Sequence, residues 1–263
     1  PVTQASLPAV PQRPAVAGTP AWRRNAVAVP PAPGGVPRIA IVIDDLGPNL
    51  RGSQAIIALP GPMTLAFLPY AADVDRMVGQ ARRGGHEILV HMPMEPVSPT
   101  VDPGPGALRV ALRGDELRHR LEEGLTRFPG HVGLNNHMGS RFTADARAMA
   151  VLMDEVAGRG LLFLDSRTTV DTVAEGLARA RSVPFVARDV FLDNDQSADK
   201  VEHQLAETER VARRKGFAVA IGHPHAATRN ALAAWLPQAA RRGFQLVPVS
   251  SLARVQQTEQ ARR

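Results

Sequence analysis

The chain has 263 residues, a formal net charge of +6 and no cysteine. The absence of cysteine excludes thiolate metal ligands, disulfides and thiol nucleophiles, so nitrogen and oxygen atoms must hold any metal. Hydrophobic residues make up 44% and charged residues 21% of the chain, as in ordinary globular domains. The arginines are scattered along predicted helices rather than gathered into one stripe, so we expect no nucleic-acid partner.

Residues 1–37 are rich in proline, alanine and valine and show neither a helical nor a strand period. Proline removes a backbone donor and interrupts regular pairing, so we predict a flexible, extended linker over this range. Such a linker commonly follows a signal peptide or a membrane anchor, and the chain starts at Pro1 rather than Met. We therefore expect a membrane tether or processed leader upstream of Pro1 and a periplasmic or secreted location. The alternative is an artificial start in a cytoplasmic protein.

Short apolar runs alternate with amphipathic stretches from residue 38 to residue 256, where we predict one domain, followed by a C-terminal tail at 257–263. The runs lie at 39–43, 63–68, 88–90, 132–134, 161–164, 185–192, 218–221 and 246–249, and helical patterns lie at 73–83, 115–127, 149–156 and 199–215. Continuous apolar runs are typical of strands buried on both faces. About eight β-α units favour a single, irregular or incomplete (β/α) barrel over an open doubly wound sheet.

Polar side chains follow several of these predicted strands, at the end where parallel α/β folds place their functional sites. The segments are Asp44-Asp45, His91 with Glu95, Asn135 to Arg141 with His137 inside it, Asp165-Ser166-Arg167, and His223-Pro224-His225. A single acid after a strand is often a helix cap, and a lone histidine is usually structural. Agreement among several strand ends instead predicts one shared site at the rim of the barrel.

The pair Asp44 and Asp45 points to a metal. Two carboxylates held close together repel each other unless a cation lies beside them, and a divalent ion removes that repulsion. Asp45 with His91 and His137 makes a set of two histidines and one carboxylate, which leaves coordination positions open for water and substrate. Open sets of this kind are typical of catalytic metal sites, and zinc is the expected ion.

The motifs resemble the divergent polysaccharide deacetylase family, a branch of the NodB-like carbohydrate esterases. The matching segments are Ile43-Asp44-Asp45-Leu46-Gly47, Gly85-His86-Glu87-Ile88 with His91-Met92-Pro93-Met94-Glu95, Asn135-Asn136-His137-Met138-Gly139-Ser140, and Gly222-His223-Pro224. The resemblance implies the NodB-like deacetylase fold. It also implies that Asp44 is the catalytic base, that Asp45 binds the metal, and that His223 is the general acid, with His225 as the alternative.

The chain departs from the family pattern in the second motif. In the family, a second histidine ligand lies four residues after the first, but Glu95 is at that position here. Either Glu95 is an oxygen ligand or His137 takes the vacant place, and we favour His137 because nitrogen ligands suit zinc. The arginine-containing third motif is replaced by the segment around His137 and Arg141. Arg141 or Arg167 is then the candidate to orient Asp44 or Asp165.

The resemblance implies a metal-dependent hydrolase that removes acetyl groups from an acetylated polysaccharide or a cell-envelope glycan. In this reading Asp44 takes a proton from the attacking water and His223 gives one to the departing amine. Two other functions fit the same residues. One is a metal hydrolase that acts on ester or phosphate bonds, and the other is a non-catalytic envelope domain that binds metal or glycan.

Overall fold

The computed structural model describes residues 18–31 and 34–253. Its strands are β1 (Arg38–Leu46), β2 (Thr64–Phe67), β3 (Glu87–Met94), β4 (Gly133–Met138), β5 (Leu162–Asp165), β6 (Phe185–Ala187), β7 (Val190–Phe191), β8 (Phe217–Gly222) and β9 (Gln245–Leu246). Its helices are α1 (Ala21–Arg24), α2 (Leu50–Ile57), α3 (Val74–Arg83), α4 (Gly114–Thr126), α5 (Ala146–Gly158), α6 (Ala174–Ala180), α7 (Ala198–Lys215) and α8 (Ala226–Trp235).

The strands form one curled parallel sheet in the order β6-β5-β4-β3-β2-β1-β8-β7, with β9 also beside β1. The two edge strands β6 and β7 are consecutive in the chain, and β6 pairs with β5 whereas β7 pairs with β8. Between them, the amides of Arg188 and Asp189 donate to the carbonyls of Asp165 and Val219. The chain itself therefore joins the edges, and the predicted irregular α/β barrel with outer helices is confirmed.

Side-chain alternation along the strands separates the inside of the barrel from the helix layer. On β1, Ile39, Ile41 and Ile43 pack in the cluster that includes the helices. Ala40 and Val42 pack in a second cluster inside the barrel. The same alternation, continued to the carboxyl ends, assigns Asp44, His91, Asn135 and His223 to the inside and Asp165 to the helix side.

The amino-terminal part of the structure differs from the predicted linker. Trp22 on α1 is only 2% exposed and packs in the inner cluster, and its amide donates to the carbonyl of Gly160. The side chain of Asn25 donates to the carbonyl of His131 at 2.8 Å. One buried tryptophan removes a large apolar surface from water, which is enough to fix a segment that has no periodicity. Residues 18–31 thus close the amino-terminal end of the barrel.

The remaining predictions for the chain ends fall partly outside the residues that the structure describes. Residues 1–17 and 32–33 of the predicted linker, the last positions of the predicted domain at 254–256, and the predicted tail at 257–263 are outside the described residues. Within the described ranges, no helix combines the length and the apolar character needed to cross a bilayer.

Candidate metal centre

A bulge in β1 brings two adjacent carboxylates to the same mouth of the barrel. Neighbouring residues of a regular strand point to opposite faces. Here the pairing between β1 and β2 shifts between Ile43 and Leu46, and Asp45 adopts a left-handed backbone with φ 57°. Such a bulge re-aims a side chain. As a result, both Asp44 and Asp45 face His91, with its Nε2 lying 3.8 Å from Asp44 Oδ2 and 3.1 Å from Asp45 Oδ1.

Three ligand-type atoms converge at this mouth. Asp45 Oδ1 lies 2.8 Å from His137 Nδ1 and 3.1 Å from His91 Nε2, and the two ring nitrogens are 3.2 Å apart. A tetrahedral zinc ion with its usual bond lengths separates its ligands by about 3.3–3.4 Å. Asp45 Oδ1 is also buried without a properly aligned hydrogen bond in the described structure. The donor set and its spacing therefore fit a zinc ion after shifts of a few tenths of an ångström.

The electrostatics of the cluster also favour a cation. Burial by itself would raise the pKa of Asp45, but the contacts with His137 and His91 hold it well below its usual range. Burial lowers the pKa of His91, whereas the charges of Asp44 and Asp45 raise it, and the net change is upward. The two carboxylates thus draw positive charge to the point where the three ligand atoms meet.

The structure places the two alternative third ligands in different surroundings. His137 lies beside Asp45 and His91, whereas Glu95 does not. One carboxylate oxygen of Glu95 accepts the amide of Val110 at 2.7 Å, and the other lies 3.1 Å from the guanidinium of Arg141. Glu95 and Arg141 therefore secure the loop after β3, and neither belongs to the ligand cluster.

Asp165, predicted as a further site residue, faces the helix layer instead. Its carboxylate accepts the amide of Arg167 and the hydroxyl of Thr172, each at 2.8 Å, and burial raises its pKa. The strand alternation explains this placement, since Asp165 has the same parity as the outward-facing Phe163. Arg141 and Arg167 were predicted to orient Asp44 or Asp165. Within the described residues neither bonds to Asp44, which other groups hold, whereas Arg167 lies beside Asp165 and bonds to it through its amide.

The groups that hold Asp44 are an amide and a hydroxyl that the sequence analysis did not single out. Asn135 Nδ2 donates to Asp44 Oδ1 at 2.8 Å, and Ser166 Oγ lies 3.5 Å from Asp44 Oδ2. Asn135 Oδ1 also lies 2.9 Å from His91 Nδ1. Asn135 lies on β4 and Ser166 directly follows β5, and the side-chain alternation of each strand places both residues inside the barrel. This alternation was the sequence signal that could have identified them. Among the described residues, no guanidinium donates a hydrogen bond to Asp44. Arg188 interacts with Asp44 only through charge, and its guanidinium donates to the carbonyls of Ser166 and Arg167.

His223 lies on the opposite side of the mouth and is held by an acid that the sequence analysis also missed. Asp193, two residues after the end of β7, places its Oδ1 2.9 Å from His223 Nδ1. Its Oδ2 accepts the amide of His223 and the hydroxyl of Thr228, both at 2.6 Å. His223 Nε2 then lies 3.9 Å from Asp45 Oδ2. Asp193 follows a strand end as the other site residues do.

The hydrogen bond with Asp193 also governs the charge of His223. Burial lowers the pKa of His223, but the bond with Asp193 and the charge of Asp44 outweigh it and raise the pKa to about 9. The alternative acid, His225, has its ring 5.7 Å from the ring of His223. With Asp193 and His223 it forms a second group of ligand-type atoms, all within 4.8 Å of one another. His223 is therefore the histidine that Asp193 binds directly and that faces Asp45.

Comparison with known proteins places this geometry in a family. The chain matches the family model described as divergent polysaccharide deacetylase over residues 41–253. The uncharacterized protein YibQ of Escherichia coli K12 is 35% identical over 195 residues, which cover 74% of this chain and 61% of that protein. This chain thus spans less than two thirds of that relative's length.

Solved structures share the fold of this chain. The crystal structure of the uncharacterized protein ATU2773 from Agrobacterium tumefaciens C58 is 33% identical with a TM-score of 0.87, covering 90% of this chain and 96% of that chain. A mutant of BA3943 from Bacillus anthracis, described as a CE4 family pseudoenzyme with restored enzymatic activity, also shares the fold. It is 13% identical with a TM-score of 0.52, and the match covers 82% of this chain and 67% of that chain. The family model covers nearly the whole barrel, and the chain therefore belongs to the divergent polysaccharide deacetylase family.

Proposed function

We propose that the protein is a zinc-dependent hydrolase that removes acetyl groups from an acetylated polysaccharide or cell-envelope glycan, in the periplasm or outside the cell. The observation that carries this proposal is the convergence of Asp45, His91 and His137 within 2.8–3.2 Å of one another at the barrel mouth. The family of the chain supports the acetylated glycan as the substrate class. The proline- and alanine-rich composition of residues 1–37 supports an envelope location.

Asp45, His91 and His137 would hold the zinc ion. When bound, such an ion would act as a Lewis acid on the acetyl carbonyl and would lower the pKa of a water bound beside it. Asp44 is suited to take the proton of the attacking water, because Asn135 occupies its Oδ1 and leaves Oδ2 facing the mouth. A positioned carboxylate of this kind contributes general-base catalysis.

His223 is suited to give a proton to the departing amine. Asp193 accepts from its Nδ1, so the Nε2 proton is directed toward the mouth beside Asp45. The residues on the two sides of the ligand cluster thus divide the proton transfers: Asp44 receives one and His223 supplies one. The net reaction is hydrolysis of the acetamide by water, which yields acetate and a free amino sugar.

The proposal predicts metal-dependent release of acetate. We expect the zinc-loaded protein to release acetate from acetylated oligosaccharides, a chelator to abolish the release, and added zinc to restore it. An enzyme-coupled acetate assay across chitin-type, xylan-type and peptidoglycan-type fragments measures the effect. A protein that carries zinc at one equivalent and releases no acetate from any of these substrates would contradict the proposal.

A second prediction concerns the third ligand. We expect His137→Ala to lose most of its zinc. Loss of a residue that only supports a ligand typically lowers metal affinity by roughly 10–100-fold, and loss of the ligand itself should lower it further. Glu95→Gln is the matched comparison, since Glu95 was the other candidate and is bonded to Arg141 and Val110 instead. Zinc content after dialysis and competition with a chromogenic chelator measure both variants. The reverse order, with Glu95→Gln losing zinc and His137→Ala keeping it, would refute this ligand set.

A non-catalytic metal- or glycan-binding domain is the second candidate function. The altered ligand motif favours it, because the position of the usual second histidine holds Glu95, which pairs with Arg141. In this case the protein would bind acetylated glycans and zinc without releasing acetate. Glycan binding measured by calorimetry beside the acetate assay separates the two functions, and the same screen with ester and phosphate substrates tests a hydrolase of different specificity.

A further inference from the structure

We infer that Asn135 is a positioning residue that sets the tautomer of the metal ligand His91 and at the same time fixes the orientation of the base Asp44. The part of this inference that concerns Asp44 rests on the proposed function. The part that concerns His91 requires only that the cluster binds a metal. Asn135 would thereby couple the metal-binding half of the site to its proton-transfer half.

The contacts of Asn135 single it out among the buried polar residues of the barrel. It lies on β4 with its side chain inside the barrel and is fully buried. Its amide group contacts residues from separate strand ends: His91 Nδ1 at 2.9 Å, Asp44 Oδ1 at 2.8 Å and Ser166 Oγ at 3.1 Å. A buried amide must be satisfied by hydrogen bonds, and here site residues satisfy it.

The hydrogen bonds of Asn135 show which way its amide points. Its NH₂ group donates to Asp44 Oδ1 and to Ser166 Oγ, and an amide nitrogen can only donate. The carbonyl oxygen of Asn135 then faces His91 Nδ1, and an oxygen acceptor requires a proton on that nitrogen. A neutral imidazole carries one proton, so the lone pair is left on His91 Nε2.

That lone pair is directed at the ligand cluster. His91 Nε2 lies 3.1 Å from Asp45 Oδ1 and 3.2 Å from His137 Nδ1. Metal-bound histidines generally donate from their other ring nitrogen to a neighbouring acceptor, which fixes the ring and raises its basicity as a ligand. Asn135 supplies that acceptor for His91, and its other end holds Asp44 in place.

Two substitutions separate these functions. Asn135→Asp keeps an oxygen acceptor for His91 Nδ1. Its other carboxylate oxygen replaces the NH₂ group that donates to Asp44, so the hydrogen bond to Asp44 is lost. Asn135→Leu removes both contacts with a larger, apolar side chain that branches at the same carbon. Thr64→Val is the matched control, because Thr64 is a fully buried residue at the other end of the barrel that also makes two polar contacts, with Glu87 and with the amide of Val249.

We expect Asn135→Leu to bind zinc about 10–100-fold more weakly than the parent protein. We expect the zinc affinity of Asn135→Asp to be no more than about threefold weaker than that of the parent. Its kcat for acetate release should fall about 100-fold with little change in KM. Thr64→Val should lower the unfolding temperature and leave the zinc affinity unchanged. Competition with a chromogenic chelator, thermal unfolding and steady-state kinetics supply these readouts for the full chain.

Different results overturn different claims. If Asn135→Leu and Thr64→Val both lose thermal stability and both bind zinc like the parent, Asn135 has only a structural role and the inference is wrong. If the zinc affinities separate as expected but the parent releases no acetate, the assignment to His91 stands and the proposed function fails. If the parent is active and the two Asn135 variants show equal zinc affinity, the function stands and the inference fails.

Discussion

Replacement of Asp44 by asparagine is expected to reduce kcat/KM for acetate release by about 10²–10⁴-fold while the affinity for zinc changes little. Asp44 is 2% exposed and lies beside the ligand cluster, with Oδ2 3.8 Å from His91 Nε2, rather than within it. An asparagine fills the same space and accepts the hydrogen bond from Asn135, but it cannot take a proton from water. Acetate release and zinc affinity, measured on the same preparation, test both parts of this expectation.

The control for this variant is Asp102→Asn. Asp102 lies in the exposed loop after β3 and accepts the amide of Gly104. Its substitution removes one negative charge on the same side of the barrel without touching Asp44, Asp45 or their partners. We expect its activity to remain within about twofold of the parent. An Asp44→Asn protein that retains a large fraction of parental activity would remove Asp44 from the mechanism.

The free energy of unfolding should depend on pH through Glu87, a buried acid at the amino-terminal end of the barrel. Its carboxyl group accepts from the amide and the hydroxyl of Ser250, from the hydroxyl of Thr64 and from the backbone of Val27. These contacts tie the segments before β1 and after β9 to β2 and β3. Burial raises the pKa of Glu87 from 4.5 to about 7 despite the donors around it.

The direction of the pH effect follows from this shift. Because the folded protein retains a proton that the unfolded chain has released, the stabilising contribution is full below about pH 4.5 and is lost as the pH rises through about 7. Glutamine resembles the protonated acid, so Glu87→Gln should not show this loss. Between about pH 5 and pH 8, we expect the free energy of unfolding of the parent to fall by about 2–3 kcal/mol relative to the variant.

Urea unfolding at the two pH values measures this difference. Glu116→Gln is the control, because Glu116 is an exposed acid on α4 that pairs with Arg120 at 3.4 Å. The control should follow the pH dependence of the parent. A constant difference in unfolding free energy between parent and Glu87→Gln at both pH values would show that Glu87 is ionised to the same extent in the folded and unfolded states.

Some site residues are marked by a local sequence pattern, whereas others can be recognised only from their partners elsewhere in the chain. The strand ends were predictable because a buried parallel strand is a continuous apolar run and its first polar residue marks the rim. Asp44, His91 and His223 were found in this way. Asn135 and Asp193 obey the same rule, but an amide or an acid after a strand is too common to be noticed without its partners.

The choice between His137 and Glu95 shows what a pattern cannot decide. Glu95 is four residues after His91, where the family places its next histidine, whereas His137 belongs to another strand. Pairing of β3 with β4 sets His137 opposite Pro93, close enough to reach the ring of His91. Meanwhile Arg141 and the amide of Val110 draw Glu95 away. These contacts exist only after the strands have aligned.

The sequence by itself determined the α/β class, the parallel strands and the rim position of the polar residues, because apolar periodicity and strand-end chemistry are local properties of the chain. Only the tertiary structure decided that Asp45 turns inward, that Trp22 closes the barrel from a proline-rich segment, and that His137 lies beside His91. These features depend on a β-bulge, on the burial of one large side chain, and on strand register. Each is a relation between residues far apart in sequence, which local pattern does not encode.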